Sequence, residues 1–261
     1  MPSAYAHYRF GTEILPGLPA DVRRPIQRFR RMFDMGLQGP DPFFYYNILT
    51  KTTVGNLGKS LHSMSGQAFF TTVCRRYQQD PSEAGEAYLY GLLCHYCLDS
   101  VCHPFIKAID AEGKVPHVEL ETEFDRFLLA RDGKTPPHTY NRGRHISLSK
   151  GECVTVSGFY PPVTPANMHK SVSHMAEILK FLASPRGPKR TALKAAISVT
   201  GEKFSQHVMP PMANPKCAPF DEELMVLYTQ ALDRFPVLAE QFTAHLTYNA
   251  PLGEDFVAPF S

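Results

Sequence analysis

Apolar residues recur at helical spacing along most of the chain. Val22, Ile26, Phe29 and Phe33 fall at i, i+4, i+7 and i+11, a one-sided stripe that predicts a helix. Residues 57 to 78 repeat the pattern, with Leu61, Met64, Ala68, Phe69 and Val73 on a broad face. A third helix is predicted from Asp80, where Asp80 can cap, Pro81 suits the first turn and Glu83 stands at the capping-box position. It should end near Cys102, because Pro104 disfavours helical backbone at His103. A fourth spans roughly Pro116 to Arg131 and stops at Asp132-Gly133.

Between Gly133 and Pro165 the helical period vanishes and prolines punctuate the chain. Cys153-Val154-Thr155-Val156 reads at most as a short strand, and a loop this long suggests a lid or binding surface. Three further helices are predicted, at about 167 to 184, 188 to 207 and 220 to 247, with Pro236 starting or kinking part of the last. The expected fold is all-α: one domain over 1–261, with a core to residue 132, an irregular stretch 133–166 and a helical remainder.

Composition narrows the function classes. Of 261 residues, 43% are hydrophobic and 20% charged, the balance of an ordinary globular chain. A net charge of +2 offers no electrostatic footprint for bulk nucleic-acid binding, so no stable nucleic-acid complex is expected. No apolar run approaches the length of a membrane span, and MPSAYAHYRFGTEIL lacks the continuous apolar stretch of a secretory signal. With that, six cysteines read as reduced thiols of a cytoplasmic protein. Oligomeric state leaves no mark in the sequence.

The candidate chemistry lies in residues 91 to 121. His95 with Asp99, and His117 with Glu121, stand at i, i+4 spacing, about 40° apart around a helix, so each pair forms a pincer. His103 lies between them, and the intervening residues are largely apolar. Imidazole nitrogen and carboxylate oxygen are ligands that zinc prefers, so the segment points to a metal site. Three more candidates precede it: His7, Asp41 and His62.

The order His, Asp, His, His-x3-Asp, His, His-x3-Glu resembles the zinc-dependent phospholipase C family, related to fungal single-strand nucleases of the same fold. AHYRFG, QGPDPFFY, LGKSLH, YLYGLLCHYCLDSVCHP and HVELETEFDRFLL carry the resemblance over about the first 132 residues. It implies an all-α protein with two or three zinc ions that hydrolyses a phosphodiester by metal-activated water. Carried over, Asp41, His62, His95 and Asp99 would hold one ion, and His103, His117 and Glu121 a second. Asp99 would bridge to a third ion that also uses His7. Asp41, as a terminal ligand, is the candidate for orienting or deprotonating the attacking water. The implied partner is a phosphate-ester substrate, with a phospholipid headgroup among the candidates.

One departure stands out. Secreted members complete the third metal with the amine of an N-terminal tryptophan, and this chain has no tryptophan. Removal of Met1 would expose the amine of Pro2 as a substitute, and recognition of a choline headgroup is in question. The alternatives are a nuclease or nucleotidase of the same superfamily, and a non-catalytic metal-containing binding module.

Other residues take plainer readings. Glu119, Glu123 and Asp125 are expected as surface charges, and Cys94 and Cys97 as buried small hydrophobes, with Cys102 nearer the ligand face. His138, His145, His169, His174, His207 and His245 lack a carboxylate at ligand spacing. The Arg23, Arg24, Arg28, Arg30, Arg31 cluster reads as a solvated helix face. Among Phe43, Phe44, Tyr45 and Tyr46, at least one aromatic is expected to line the substrate cleft.

Overall fold

The structure is a computed structural model that describes residues 4–48, 50, 52–183, 191 and 205–260. Ten named helices make up the fold among these residues, and no strand appears there. They are α1 (Ala4–Ile14), α2 (Ala20–Arg28), α3 (Arg30–Gly36), α4 (Thr53–His62), α5 (Gly66–Tyr77), α6 (Glu83–Ala111), α7 (His117–Arg131), α8 (Lys150–Gly158), α9 (Pro165–Leu182) and α10 (Ala218–Tyr248). The all-α expectation holds. No described helix is long and apolar enough to cross a membrane.

Helix α6 is the axis. It is apolar around its circumference, from Tyr88 to Leu98, which marks a helix enclosed by others. Helices α3 and α10 pack on it, with α1, α2 and α7 completing the shell. Two glycines let α3 approach closely. A Cβ on Gly36 would lie 2.1 Å from the Tyr88 carbonyl oxygen, and one on Gly91 would lie 2.2 Å from that of Phe33. This contact delivers the chain after α3 onto the middle of α6. Gly91→Ala should therefore destabilise the protein by about 3 kcal/mol through overpacking against backbone. Urea denaturation measures it, and an unchanged midpoint would refute the crossing.

Several boundaries differ from those expected. The cap of α6 is Ser82, whose side chain accepts from Gly85 N, rather than Asp80. The helix runs through Pro104 to Ala111, because Ile106 and Ile109 beyond the proline are buried and hold the extra turns in place. The stripe through Phe29 is split between α2 and α3, since Phe29 (φ −113°, ψ 42°) leaves helical geometry. Residues 57 to 78 form two helices, because Ser65 (φ −61°, ψ 147°) restarts the chain as the cap of α5.

The segment 153–156 is helix, not strand. Ser149 and Glu152 form a reciprocal capping box that nucleates α8 and overrides the β-branched residues. Helix α1 has no counterpart in the expected elements. Pro236 sits inside α10 and begins no new helix. The helix expected at 188 to 207 falls largely on residues 188–190 and 192–204, outside the described set.

Candidate metal centre

His95, Asp99 and His103 follow one another at i, i+4, i+8 along the buried face of α6. Around them three other elements converge. Helix α1 brings His7, whose Nε2 is 3.2 Å from Asp99 Oδ1 and whose ring stacks on His95 at 4.1 Å between centroids. The chain after α3 brings Asp41, in the 3-10 turn Asp41–Tyr45, and α4 brings His62. Helix α7 brings His117 and Glu121, whose Nε2 and Oε1 are 3.2 Å apart.

Gly39 makes the approach of the Asp41 turn possible. It has φ of +51°, which a glycine adopts freely, and a Cβ there would meet His95 Cδ2 at 2.4 Å.

The histidine hydrogen bonds define the chemistry. His62 Nδ1 lies 2.7 Å from the Gly58 carbonyl, His95 Nδ1 3.1 Å from that of Leu37, and His103 Nδ1 3.2 Å from that of Phe260. A carbonyl only accepts, so each Nδ1 carries a hydrogen, and in the tautomer that this leaves Nε2 presents a lone pair. Each Nε2 then faces a carboxylate oxygen: Asp41 Oδ1 at 3.0 Å, Asp99 Oδ2 at 3.2 Å and Glu121 Oε1 at 3.2 Å. Acceptor facing acceptor is repulsive unless a proton or a cation lies between. Imidazole held by its outer N–H to a carbonyl is also the usual arrangement of a metal-ligating histidine. His7 Nδ1 and the same His95 Nε2 are buried without a hydrogen-bond partner, which suits atoms that ligate a cation.

Electrostatics agree. Burial alone would raise the pKa of Asp99, yet the imidazoles of His103, His95 and His7 hold it well below the usual carboxylate range. Glu121 is likewise held low against burial, with His117 and His103 among the groups that lower it. Burial lowers His7, whereas Asp99 overcomes burial and raises His95 and His103. The pocket is thus strongly attractive to positive charge.

In each of three sets the donor atoms lie within 4.8 Å of one another and could hold an ion: His7, His95 and Asp99; Asp41, His62 and His95; and His103, His117 and Glu121. The structure therefore gathers all eight sequence candidates at one place. His95 belongs to two sets, a sharing that the division by resemblance did not contain. The amine expected from Met1 or Pro2 lies outside the described residues.

Other expectations need correction. Glu123 and Asp125 are buried, at 1% and 0% exposure, and are not surface charges. Asp125 accepts from the backbone N–H groups of Tyr5 (3.3 Å) and Ala6 (2.9 Å) and pairs with Arg142 at 3.2 Å. It thereby ties the first turn of α1, and His7 with it, to the helix that carries Glu121. Burial still pushes its pKa up to about 6. Glu123 accepts from Asn214 N and pairs with Arg126, while half-buried Glu119 accepts from Asn214 Nδ2. Asp125→Asn should cost about 3 kcal/mol, because it breaks a buried ion pair. Metal-free protein unfolded in urea tests this, and a change under half that size would contradict it.

The plainer readings fare better. Cys94 and Cys97 are buried thiols, and Cys102 borders a small cavity shared with Asp99, His103 and Glu121. The six remaining histidines join none of the three sets. Arg28, Arg30 and Arg31 pair with Glu83, Asp34 and Glu152 rather than standing free. Phe43 and Tyr45 are core, while partly buried Phe44 lies 5.0 Å from His62.

Phe260 was not foreseen. Its carbonyl orients His103, and its ring packs 5.9 Å from His95 and 6.2 Å from His62. No local pattern could have revealed it, since the contact spans 157 residues.

Fold and site define an all-α protein with a buried centre of clustered metal-ligand side chains. Compared with known families, residues 6–158 match zinc dependent phospholipase C, and the chain belongs to that family. The matched stretch includes all eight donors. No curated protein and no solved structure matches the chain.

Proposed function

We propose that this protein is a zinc-dependent phosphodiesterase of the phospholipase C type. The observation that carries the reading is the facing of imidazole Nε2 and carboxylate oxygen in the pairs His62–Asp41, His95–Asp99 and His103–Glu121. Three buried imidazolium ions in one pocket would repel one another, whereas shared divalent cations satisfy every lone pair. The ligand set is Asp41, His62, His95 and Asp99 for one ion, and His103, His117 and Glu121 for a second. Asp99 also serves a third position with His7. Zinc at these positions supplies Lewis acidity towards the phosphoryl oxygens and lowers the pKa of water to about 7.

The side chains divide the remaining work. Asp41 contacts His62 through Oδ1, which leaves Oδ2 to orient the attacking water and accept its proton. His117, with its side chain 26% exposed, is the most open of the donors. Its group has three protein donors, one short of a closed structural zinc site, which favours catalysis over a binding module.

The test is zinc-loaded protein assayed on bis(p-nitrophenyl) phosphate, short-chain phospholipid and single-stranded oligonucleotide. Zinc-dependent hydrolysis of the phosphodiesters, abolished by chelation, is the expected result. Faster cleavage of the oligonucleotide would favour the nuclease reading. Zinc-loaded protein inert on every substrate would favour the binding module.

A further inference from the structure

A solvent-open groove shares the Phe44 ring with the Asp41–His62 end of the centre. It has a volume of about 300 Å³ and is lined by residues including Phe44, Tyr46, Asn47, Thr50, Asn56 and Lys59. Phe44 joins the two places, because its ring lies 5.0 Å from that of His62. Lys59 and His62 are three apart on α4, so they are neighbours on one face of that helix.

The chemistry of the groove is one-sided. None of the described residues lining it is acidic. Lys59 contributes a cation, and Lys170 Nζ lies 5.0 Å above the Tyr46 ring. One face of the Tyr46 ring therefore already carries a protein cation. A quaternary ammonium in the groove would also meet the like charge of Lys59. Among the described residues, the side chains of Asn47 and Asn56 make no hydrogen bond within the protein, so both amides are free to bind hydroxyls or anionic oxygens.

We propose, building on the phosphodiesterase reading, that this groove receives the alcohol side of the substrate and selects a hydroxylated, negatively charged headgroup, a phosphorylated polyol, over choline. Lys59 is the residue that sets this preference. It is exposed and lies outside the helix core, so replacing it leaves the packing of α4 intact.

The experiment uses zinc-loaded full-length protein and water-soluble short-chain phospholipids with choline, glycerol, inositol and inositol phosphate headgroups. The deacylated glycerophospho-alcohols are assayed in parallel, to separate recognition of the headgroup from recognition of the lipid. The expected order of kcat/KM is choline lowest and inositol phosphate highest. Lys59→Glu should reduce the ratio of inositol phosphate to choline by about tenfold or more, the scale of one charge-assisted contact inverted. Lys59→Gln should fall between the two proteins.

Choline substrates cleaved as well as the others, or a ratio unmoved in Lys59→Glu, would overturn the proposal. If these results came with hydrolysis of bis(p-nitrophenyl) phosphate, the phosphodiesterase reading would survive. Inactivity on every substrate, the generic ester included, would remove both.

Discussion

Asp41→Asn keeps its zinc and lowers kcat on a phosphodiester by about 10²- to 10³-fold, the range expected when a positioned proton acceptor is removed. The asparagine retains an oxygen to face His62 and a donor set of nearly the same shape. It lacks the ionised second oxygen to which the proposed mechanism gives the proton from water. Elemental analysis of the variant, paired with single-turnover hydrolysis, separates the two effects. Turnover at the wild-type level would take Asp41 out of the chemistry, and loss of zinc would make it a ligand first.

Asp99→Ala has the largest expected effect on metal content. One carboxylate meets three imidazoles, with Oδ1 3.2 Å from His7 and 3.4 Å from His103, and Oδ2 3.2 Å from His95. Without it the first and third positions lose their common ligand, while His103, His117 and Glu121 keep their own carboxylate. Zinc per chain should fall to a single ion, with helical circular dichroism preserved. An unchanged zinc content would show that Asp99 bridges nothing.

What the sequence revealed follows from the range of each interaction. The pincers His95–Asp99 and His117–Glu121 were legible because they close within one turn of helix. His7, Asp41 and His62 gained their place in the ligand set through resemblance, since nothing local distinguishes them from ordinary core or turn residues. Gly39 and Gly91 matter because backbones meet there, and that is invisible before the helices are placed. Asp125 looked solvated among Glu119, Glu121 and Glu123, because its partners, Arg142 and the first turn of α1, are remote along the chain.

The fold shows the same division. Amphipathic periodicity located α7, α9 and α10 closely. It failed at α8, where Val154-Thr155-Val156 favoured a strand although Ser149 and Glu152 already spelled a capping box. The bias that Pro104 imposes on His103 ended α6 too soon. Proline removes one backbone hydrogen bond, and the buried residues on either side of Pro104 outweigh that loss.

The most direct measurement is anomalous diffraction at the zinc absorption edge from crystals of zinc-loaded protein. Two or three peaks inside one cluster, touching Asp41, His62, His95, Asp99, His103, His117 and Glu121, are the predicted result. A zinc-loaded crystal with no peak there, or with its zinc held elsewhere on the chain, would contradict the account.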